Sequence, residues 1–316
     1  MNVVVIGAGA IGSFYGSLLA RAGARVSVVA RSDYEHVRVS GIEIRSETTL
    51  GDFHFQPAAV VRDAAELGEK PDYVLLCVKV VEGVHRPDLI RGALGPGTSI
   101  VLISNGVEIE EEIAVAFPDH ELISGLAFIC VTRTAPGRIW HQAYGRLVLG
   151  NYPDGLSEKT KALCAAYQQA GISCTATRDI VTARWQKCVW NAAFNPLSVL
   201  SGGLSTREIL AMQEPLVRAI MEEIALIARS VGHPLDPKVV DQQVESTQKM
   251  PPYKTSMLLD FEAGRPMETE AILGNAVRAG RRAAANVPRL ETLYGLLKLR
   301  EEGCRNVGDK ARCTPG

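Results

Sequence analysis

The sequence lacks the features that mark several large classes of protein. Its 34 basic and 35 acidic side chains nearly cancel, so it has no positive excess of the kind that nucleic-acid-binding proteins and polybasic membrane modules carry. No apolar run approaches about 18 residues, the length of a membrane-spanning helix. The seven cysteines are scattered without a CxxC pair, which predicts free thiols and no metal site. No secretory signal precedes the glycine-rich turn at Gly7, so we expect a cytoplasmic protein.

What the sequence contains is two halves of different texture. In the first half, short apolar runs alternate with helical segments, with strands predicted at residues 3–6, 25–30, 73–78, 99–103, 122–130, 138–140 and 147–149. In the second half, helical spacing dominates, at residues 179–195, 206–231, 237–248, 268–282 and 288–302. The sequence therefore predicts an α/β domain with a parallel sheet over residues 1–177 and an all-α domain over residues 178–316, ending in a loose tail from residue 304.

The first predicted strand runs directly into a glycine-rich turn and then into a helix. The turn has the spacing GxGxxG, in which one glycine permits a tight turn, one lets the backbone approach a pyrophosphate and one lets the helix pack on the strand. The helix N-terminus would present unpaired N–H groups to that anion. A purely structural turn is the alternative, but the strand–turn–helix context favours a dinucleotide site. The site would comprise Gly7, Ala8, Gly9, Ala10, Ile11 and Gly12.

The end of the second strand predicts which dinucleotide binds. NAD sites usually place an acid there to hold the ribose hydroxyls, whereas Arg31 could neutralise the 2′-phosphate of NADP. Asp33 stands nearby and leaves an NAD site open as the alternative. Lys79 and Asn105 follow two buried strands at their carboxyl ends, which is the edge where ligands bind in open α/β sheets. Either residue could also belong to an ordinary turn.

One helix of the second half carries a polar stripe that predicts the reaction chemistry. The stripe consists of Arg184, Lys187, Asn191, Asn195 and Ser198. At about 100° per residue these side chains fall in one sector, flanked by large rings, which favours a patch facing an interior cleft. A desolvated lysine can act as a general acid, and amides can hold a hydroxyl or a carboxylate. The alternative is an exposed Lys187 beside asparagines that brace the helix around Pro196.

Together these segments resemble the ketopantoate reductase (2-dehydropantoate 2-reductase) family over nearly the whole chain. The resemblance rests on GAGAIG from Gly7, CVK at Lys79, SNG at Asn105, KCVWNAAFNPL from Lys187, and GRPMETE before the last helices. It implies an NADPH-dependent oxidoreductase with a Rossmann domain and a helical second domain. The implied reaction converts 2-dehydropantoate to (R)-pantoate, on the route to pantothenate and coenzyme A.

The resemblance also implies a role for each candidate residue. Residues 7–12 and Arg31 would hold the NADP phosphates, Lys79 would lie near the cofactor, and Asn105 would contact both cofactor and substrate. Lys187 would be the proton donor and Glu268 an active-site glutamate. From its position alone, Glu268 is a first-turn acid like Glu270, which the helix dipole explains. The substrate would be held by Asn105, Lys187, Asn191, Asn195 and Ser256.

Two positions depart from the family pattern and keep other functions open. Ser205 is the nearest equivalent of a substrate-binding asparagine, and Leu273 replaces an asparagine. One alternative is a paralogous reductase that acts on another 2-oxo acid. A second is a β-hydroxyacid or opine-type dehydrogenase, and a third is a non-catalytic NADP-binding sensor. Apolar helices in the second half are compatible with a homodimer, and no nucleic-acid or membrane partner is expected.

Overall fold

A computed structural model of the protein describes residues 1–307. The chain forms two compact units. The first unit comprises Met1–Lys79, Val84–Ser104 and Ile109–Ile180, and the second comprises Val80–Gly83, Asn105–Glu108 and the chain from Val181 onward. The sequence predicts one boundary after residue 177. In the structure the division follows Ile180, and two short segments of the first half belong to the second unit, where Val80 and Asn105 bond to Glu268.

The first unit is built on one sheet of ten strands. These are β1 (Asn2–Ile6), β2 (Arg25–Val29), β3 (Ile42–Ser46), β4 (Phe53–Phe55), β5 (Val60–Val61), β6 (Tyr73–Leu76), β7 (Ser99–Ile103), β8 (Leu122–Ala135), β9 (Arg138–Asn151) and β10 (Cys174–Ala176). Neighbouring strands follow the order β4-β3-β9-β8-β7-β6-β1-β2-β5, and β10 pairs with β9.

The helices of the first unit cover both faces of the sheet. They are α1 (Ala10–Arg21), α2 (Tyr34–Ser40), α3 (Arg86–Arg91), α4 (Glu111–Ala116) and α5 (Glu158–Gln169), with a 3₁₀ turn at Ala64–Glu66. In the parallel centre of the sheet, alternate residues of β1, β6 and β7 enter two separate hydrophobic cores. One core contains Phe14 of α1, and the other contains Ile90 of α3 and Ile113 of α4. Burial on both faces explains the near-continuous apolar runs in the sequence.

The hairpin of β8 and β9 corrects one prediction. Residues 138–140 and 147–149, predicted as two strands, belong to the single 14-residue strand β9, which pairs antiparallel with β8. Tyr144 and Gly145 have positive φ and the register shifts between Phe128 and Ile129, so a bulge interrupts the alternation that would mark one strand. The predicted turn at residues 136–137 is confirmed. The strands β3, β4, β5 and β10 were not predicted, because none of them contains more than two consecutive apolar residues, unlike β6 and β7.

Helices are the only regular secondary structure in the described residues of the second unit. Its helices are α6 (Ile180–Leu200), α7 (Thr206–Ser230), α8 (Val239–Lys249), α9 (Ser256–Glu262), α10 (Asn275–Arg282) and α11 (Pro288–Val307), with a π-helical turn at Glu270–Gly274 before α10. The predicted fold class, a Rossmann-type parallel sheet followed by a helical domain, is confirmed. No helix in the described part of the chain is both long and apolar enough to cross a membrane.

Three helix predictions need correction. Helix α6 does not end at Asn195 but continues through Pro196 to Leu200. Helix α7 is kinked at Gln213, where φ is −143° and ψ is 46°, two residues before Pro215. The predicted tail begins too early, because α11 extends to Val307, and residues 308–316 lie outside the described part of the chain.

Candidate functional site

The glycine turn lies at the carboxyl end of β1 and packs against the chain that leaves β6. Gly7 has a φ of +99°, and a Cβ there would lie 2.9 Å from Cγ2 of Val78. A Cβ at Gly12 would collide with the carbonyl oxygen of Gly7, whereas a Cβ at Gly9 would meet nothing within 4 Å. The turn is therefore tightly curved, closely packed at its ends and open in its middle, as the approach of a pyrophosphate requires.

Helix α1 begins at Ala10, within the glycine-rich segment. Gly9 is the N-cap, it provides no side-chain cap, and the first turn contains no acidic residue. The first N–H groups of an α-helix have no partner within the helix, and they lie at the positive end of its dipole. The strand, the turn and the 12-residue helix together fit the phosphates of a dinucleotide.

Of the two charged residues that closely follow β2, the arginine is exposed and the aspartate is buried. The side chain of Arg31 is exposed, whereas Asp33 is only 3% exposed. The carboxylate of Asp33 accepts hydrogen bonds from the hydroxyl of Ser32 at 2.8 Å, the N–H of Gly137 at 3.2 Å and the guanidinium of Arg133. Burial alone would raise the pKa of Asp33, but these hydrogen bonds outweigh it and hold the pKa below its usual value. The carboxylate of Asp33 is thus hydrogen-bonded to other residues of the first unit.

Lys79 lies at the same edge of the sheet as the glycine turn. It follows β6, and the N–H of Cys77 donates to the carbonyl oxygen of Ile6 at 2.9 Å. The two residues before it, Cys77 and Val78, are those that a Cβ at Gly7 would meet. The partly exposed side chain of Lys79 therefore starts beside the candidate phosphate site.

Three predicted residues from distant parts of the chain meet in the second unit. Nζ of Lys187 donates to Oδ1 of Asn105 at 2.9 Å, and Nδ2 of Asn105 donates to Oε2 of Glu268 at 2.9 Å. The amide therefore presents its oxygen to the cation and its N–H group to the anion, which makes both hydrogen bonds charge-assisted. The backbone N–H of Val80 lies 3.4 Å from Oε1 of Glu268, which is only 7% exposed.

The two acids that look alike in sequence have different surroundings. Glu270 accepts hydrogen bonds from Nη1 of Arg278 at 2.8 Å and from the hydroxyl of Tyr294 at 2.7 Å, and Nζ of Lys298 lies 3.2 Å away. Burial would raise the pKa of Glu270, but these partners lower it. Glu270 thus ties α10 to α11, whereas Glu268 bonds to Asn105 in the candidate site.

The polar stripe of α6 is largely buried. Arg184, Asn191, Asn195 and Ser198 are buried, and Lys187 is partly exposed. Nη1 of Arg184 donates to the carbonyl oxygen of Gly106 at 3.0 Å. The stripe is therefore not a solvated helix face.

Ser256 is an exposed residue at the first position of α9. The residue before it, Thr255, caps α9, and its hydroxyl lies 2.7 Å from that of Ser198. This contact joins the start of α9 to the polar stripe of α6, so Ser256 begins next to a residue that touches the stripe. The structure does not bring Ser256 into direct contact with the group formed by Lys187, Asn105 and Glu268 in any bond that it describes.

The two residues that depart from the family pattern serve the fold. Ser205 is the N-cap of α7, where its hydroxyl donates to Oε2 of Glu208 at 2.6 Å and accepts from the N–H of Glu208 at 3.4 Å. Leu273 is completely buried in the hydrophobic core of the second unit. Neither residue supplies the amide that the family pattern has at its position.

Sequence reasoning missed two parts of this arrangement. Nothing in the local sequence links Asp33 to Arg133, which lies 100 residues away. Nothing marks Arg282 as the partner of Glu108, since the two are 174 residues apart. Both pairs join residues that only the packing of the chain brings together.

Comparisons with known proteins find similarity over both halves of the chain. Residues 3–154 match the family described as ketopantoate reductase PanE/ApbA, and residues 179–301 match its C-terminal domain. A 2-dehydropantoate 2-reductase of Nostoc sp. is 33% identical over 93% of this chain and 93% of that protein. The crystal structure of a 2-dehydropantoate 2-reductase from Methylococcus capsulatus is 64% identical with a TM-score of 0.92, over 100% of this chain and 99% of that one. The corresponding structure from Geobacter metallireducens is 35% identical with a TM-score of 0.88, over 95% and 99%.

Proposed function

The chain belongs to the ketopantoate reductase family and is an oxidoreductase, and from this premise we propose that it reduces 2-dehydropantoate to (R)-pantoate with NADPH. The family and the Rossmann-type fold indicate a nicotinamide cofactor. The observation that carries the proposal is the hydrogen-bonded group of Lys187, Asn105 and Glu268 in the second unit. It combines a proton donor with two groups that orient it.

The cofactor residues of the proposal lie mainly in the first unit. The backbone of residues 7–12 and the start of α1 would hold the pyrophosphate, and Arg31 would neutralise the 2′-phosphate. The hydrogen bonds that Asp33 accepts support NADP over NAD. The carboxylate of Asp33, two residues after Arg31, is already bonded to Arg133 and to the N–H of Gly137, so it is not free to hold the ribose hydroxyls of NAD. Lys79 and Asn105 would add further polar contacts. When bound, NADPH supplies the hydride that adds to C2 of the oxo acid.

The substrate residues of the proposal all lie in the second unit. Lys187 would donate a hydrogen bond to the ketone oxygen and transfer its proton as that oxygen becomes an alkoxide. Asn105 would hold the ammonium in place through Oδ1, and Glu268 would hold the amide of Asn105 in the matching orientation. Asn191, Asn195 and Ser256 would bind the hydroxyl and carboxylate groups of the substrate.

The role of Lys187 is tested by replacing it with alanine. Lys187→Ala should lower kcat for 2-dehydropantoate by about 10² or more, the usual contribution of a general acid. NADPH binding, followed by the fluorescence of the reduced nicotinamide, should remain. Lys238→Ala is the matched control, because Lys238 is an exposed lysine of the same unit that precedes α8. An unchanged kcat in Lys187→Ala would contradict the proposed role.

A second candidate is a reductase of the same mechanism that acts on a different 2-oxo acid. It is favoured by the structural roles of Ser205 and Leu273, which leave two family amides without an equivalent. Initial rates of NADPH consumption on 2-dehydropantoate and on a panel of branched 2-oxo acids distinguish the two candidates. The highest kcat/KM on 2-dehydropantoate would support the first candidate, and a higher value on another acid the second. NADPH binding without turnover on any of them would contradict both and favour a non-catalytic sensor.

A further inference from the structure

The segment Asn105–Glu108 is fastened to the second unit beyond the contacts of Asn105 itself. The carbonyl oxygen of Gly106 accepts a hydrogen bond from Nη1 of Arg184 at 3.0 Å. The N–H of Val107 donates to the carbonyl oxygen of Ala271 at 3.0 Å. The backbone that carries Asn105 is therefore bonded at two successive residues.

The far end of this segment is closed by an ion pair with α10. Nη2 of Arg282 lies 2.5 Å from Oε1 and 2.7 Å from Oε2 of Glu108, so one nitrogen bridges both carboxylate oxygens. About two helical turns earlier, at the first residue of α10, Nδ2 of Asn275 donates to the carbonyl oxygen of Val107 at 2.7 Å. Helix α10 thus holds the segment through a charged contact and an amide contact.

The backbone of the segment is held in a conformation that it would not keep unaided. Glu108 has a φ of +52°, in the left-handed region that residues with a Cβ avoid. Gly106 has a φ of +107°, and a Cβ there would lie 2.5 Å from the carbonyl oxygen of Ala271. A strained conformation of this kind persists only where surrounding contacts enforce it.

We infer that Arg282 is a positioning residue for the candidate site, acting through Glu108 and the segment Asn105–Glu108 to hold the amide of Asn105 between Lys187 and Glu268. The pair of Arg282 and Glu108 fixes the end of the segment three residues beyond Asn105. Releasing that end lets the strained backbone relax and moves the amide away from its two charged partners. The inference rests on the proposed function for its kinetic consequence only.

The test asks whether the effect of Arg282 depends on Asn105. Arg282→Glu places two carboxylates together and should lower kcat about 5- to 10-fold, because their repulsion releases the end of the segment and misplaces the amide. In an Asn105→Ala background the same change should alter kcat less than about twofold, because no amide remains to be positioned. The exchanged pair Glu108→Arg with Arg282→Glu should recover most of the wild-type kcat.

The neighbouring residue Arg281 provides the matched control. It pairs with Glu291 at 2.7 Å, from the same helix and at similar exposure, so Arg281→Glu breaks a comparable ion pair away from the segment. Arg281→Glu should leave kcat unchanged in each background, at the value of the wild type or of Asn105→Ala. An effect of Arg282→Glu that is equal with and without Asn105 would overturn the inference, since it would show a general structural role.

Hydrogen exchange gives a readout that does not depend on turnover. The N–H of Val107 should exchange several-fold faster in Arg282→Glu and return to its wild-type rate in the exchanged pair, because its bond to Ala271 depends on the anchored segment. Absence of turnover in the wild type would contradict the proposed function and leave this measurement intact. An unchanged exchange rate at Val107 in Arg282→Glu would overturn the inference itself.

Discussion

Removal of the Asn105 amide is the most direct test of the candidate site. Asn105→Ala deletes two hydrogen bonds of 2.9 Å, one from Nζ of Lys187 and one to Oε2 of Glu268. Each involves a charged partner, and such a bond contributes about 1.5–3 kcal/mol. If the transition state loses the stabilisation of one such bond, kcat should fall about 10- to 100-fold, since about 1.4 kcal/mol corresponds to a factor of ten.

Asn105→Asp makes the same test sharper because it nearly preserves the shape of the side chain. The aspartate keeps an acceptor for Lys187 but turns a carboxylate, in place of the amide N–H group, toward Glu268. Like charges at this distance repel and favour protonation of one carboxyl group. We therefore expect Asn105→Asp to be impaired at neutral pH, and its kcat relative to the wild type to rise as the pH is lowered.

The assay is the initial rate of NADPH consumption at saturating oxo acid, followed by the absorbance of the reduced nicotinamide. Thermal unfolding of each variant checks that the fold is retained. Asn105→Ala and Asn105→Asp that are folded and keep the wild-type kcat would refute the proposal that the amide orients Lys187. A loss in Asn105→Ala with full activity in Asn105→Asp would show that only the bond to Lys187 matters.

Two further predictions concern the first unit. Arg31→Ala should raise KM for NADPH about tenfold or more, through loss of a charge-assisted contact, and leave KM for NADH nearly unchanged. Arg45→Ala, at an exposed arginine of β3, is the control. Equal effects of Arg31→Ala on both cofactors would contradict the assignment of Arg31 to the 2′-phosphate. The pKa of Asp33 is lower in the folded protein than in the unfolded chain, so in acid the folded state binds fewer protons. The ionised carboxylate therefore stabilises the fold at neutral pH. This stabilisation is lost as the pH falls from the unfolded-state pKa towards the folded-state pKa. Asp33→Asn should lose less stability than the wild type on acidification, as measured by chemical denaturation at several pH values. Asp154→Asn, at an exposed aspartate, is the control. Parallel curves of unfolding free energy against pH for Asp33→Asn and the wild type would contradict the prediction.

The sequence by itself determined those features that depend on local geometry. The GxGxxG spacing predicts the turn because the positive φ of Gly7 and the close packing of Gly12 leave no room for another residue type. The apolar runs at residues 73–78 and 99–103 predict buried strands, and the helical period places Lys187, Asn191 and Asn195 on one face of α6. The strands β3, β4, β5 and β10 were missed because they contain no such apolar run, and β9 was predicted as two strands because a bulge interrupts its alternation.

Only the tertiary structure decided which of the candidate side chains meet. Asn105 lies 82 residues from Lys187 and 163 from Glu268 in sequence, so no local period relates them. Arg31 and Asp33 are two residues apart, yet one is exposed and the other is engaged by Arg133. A residue type fixes what a side chain can bond to, but its partner is chosen by the packing of distant segments. That choice distinguishes Glu268 from Glu270.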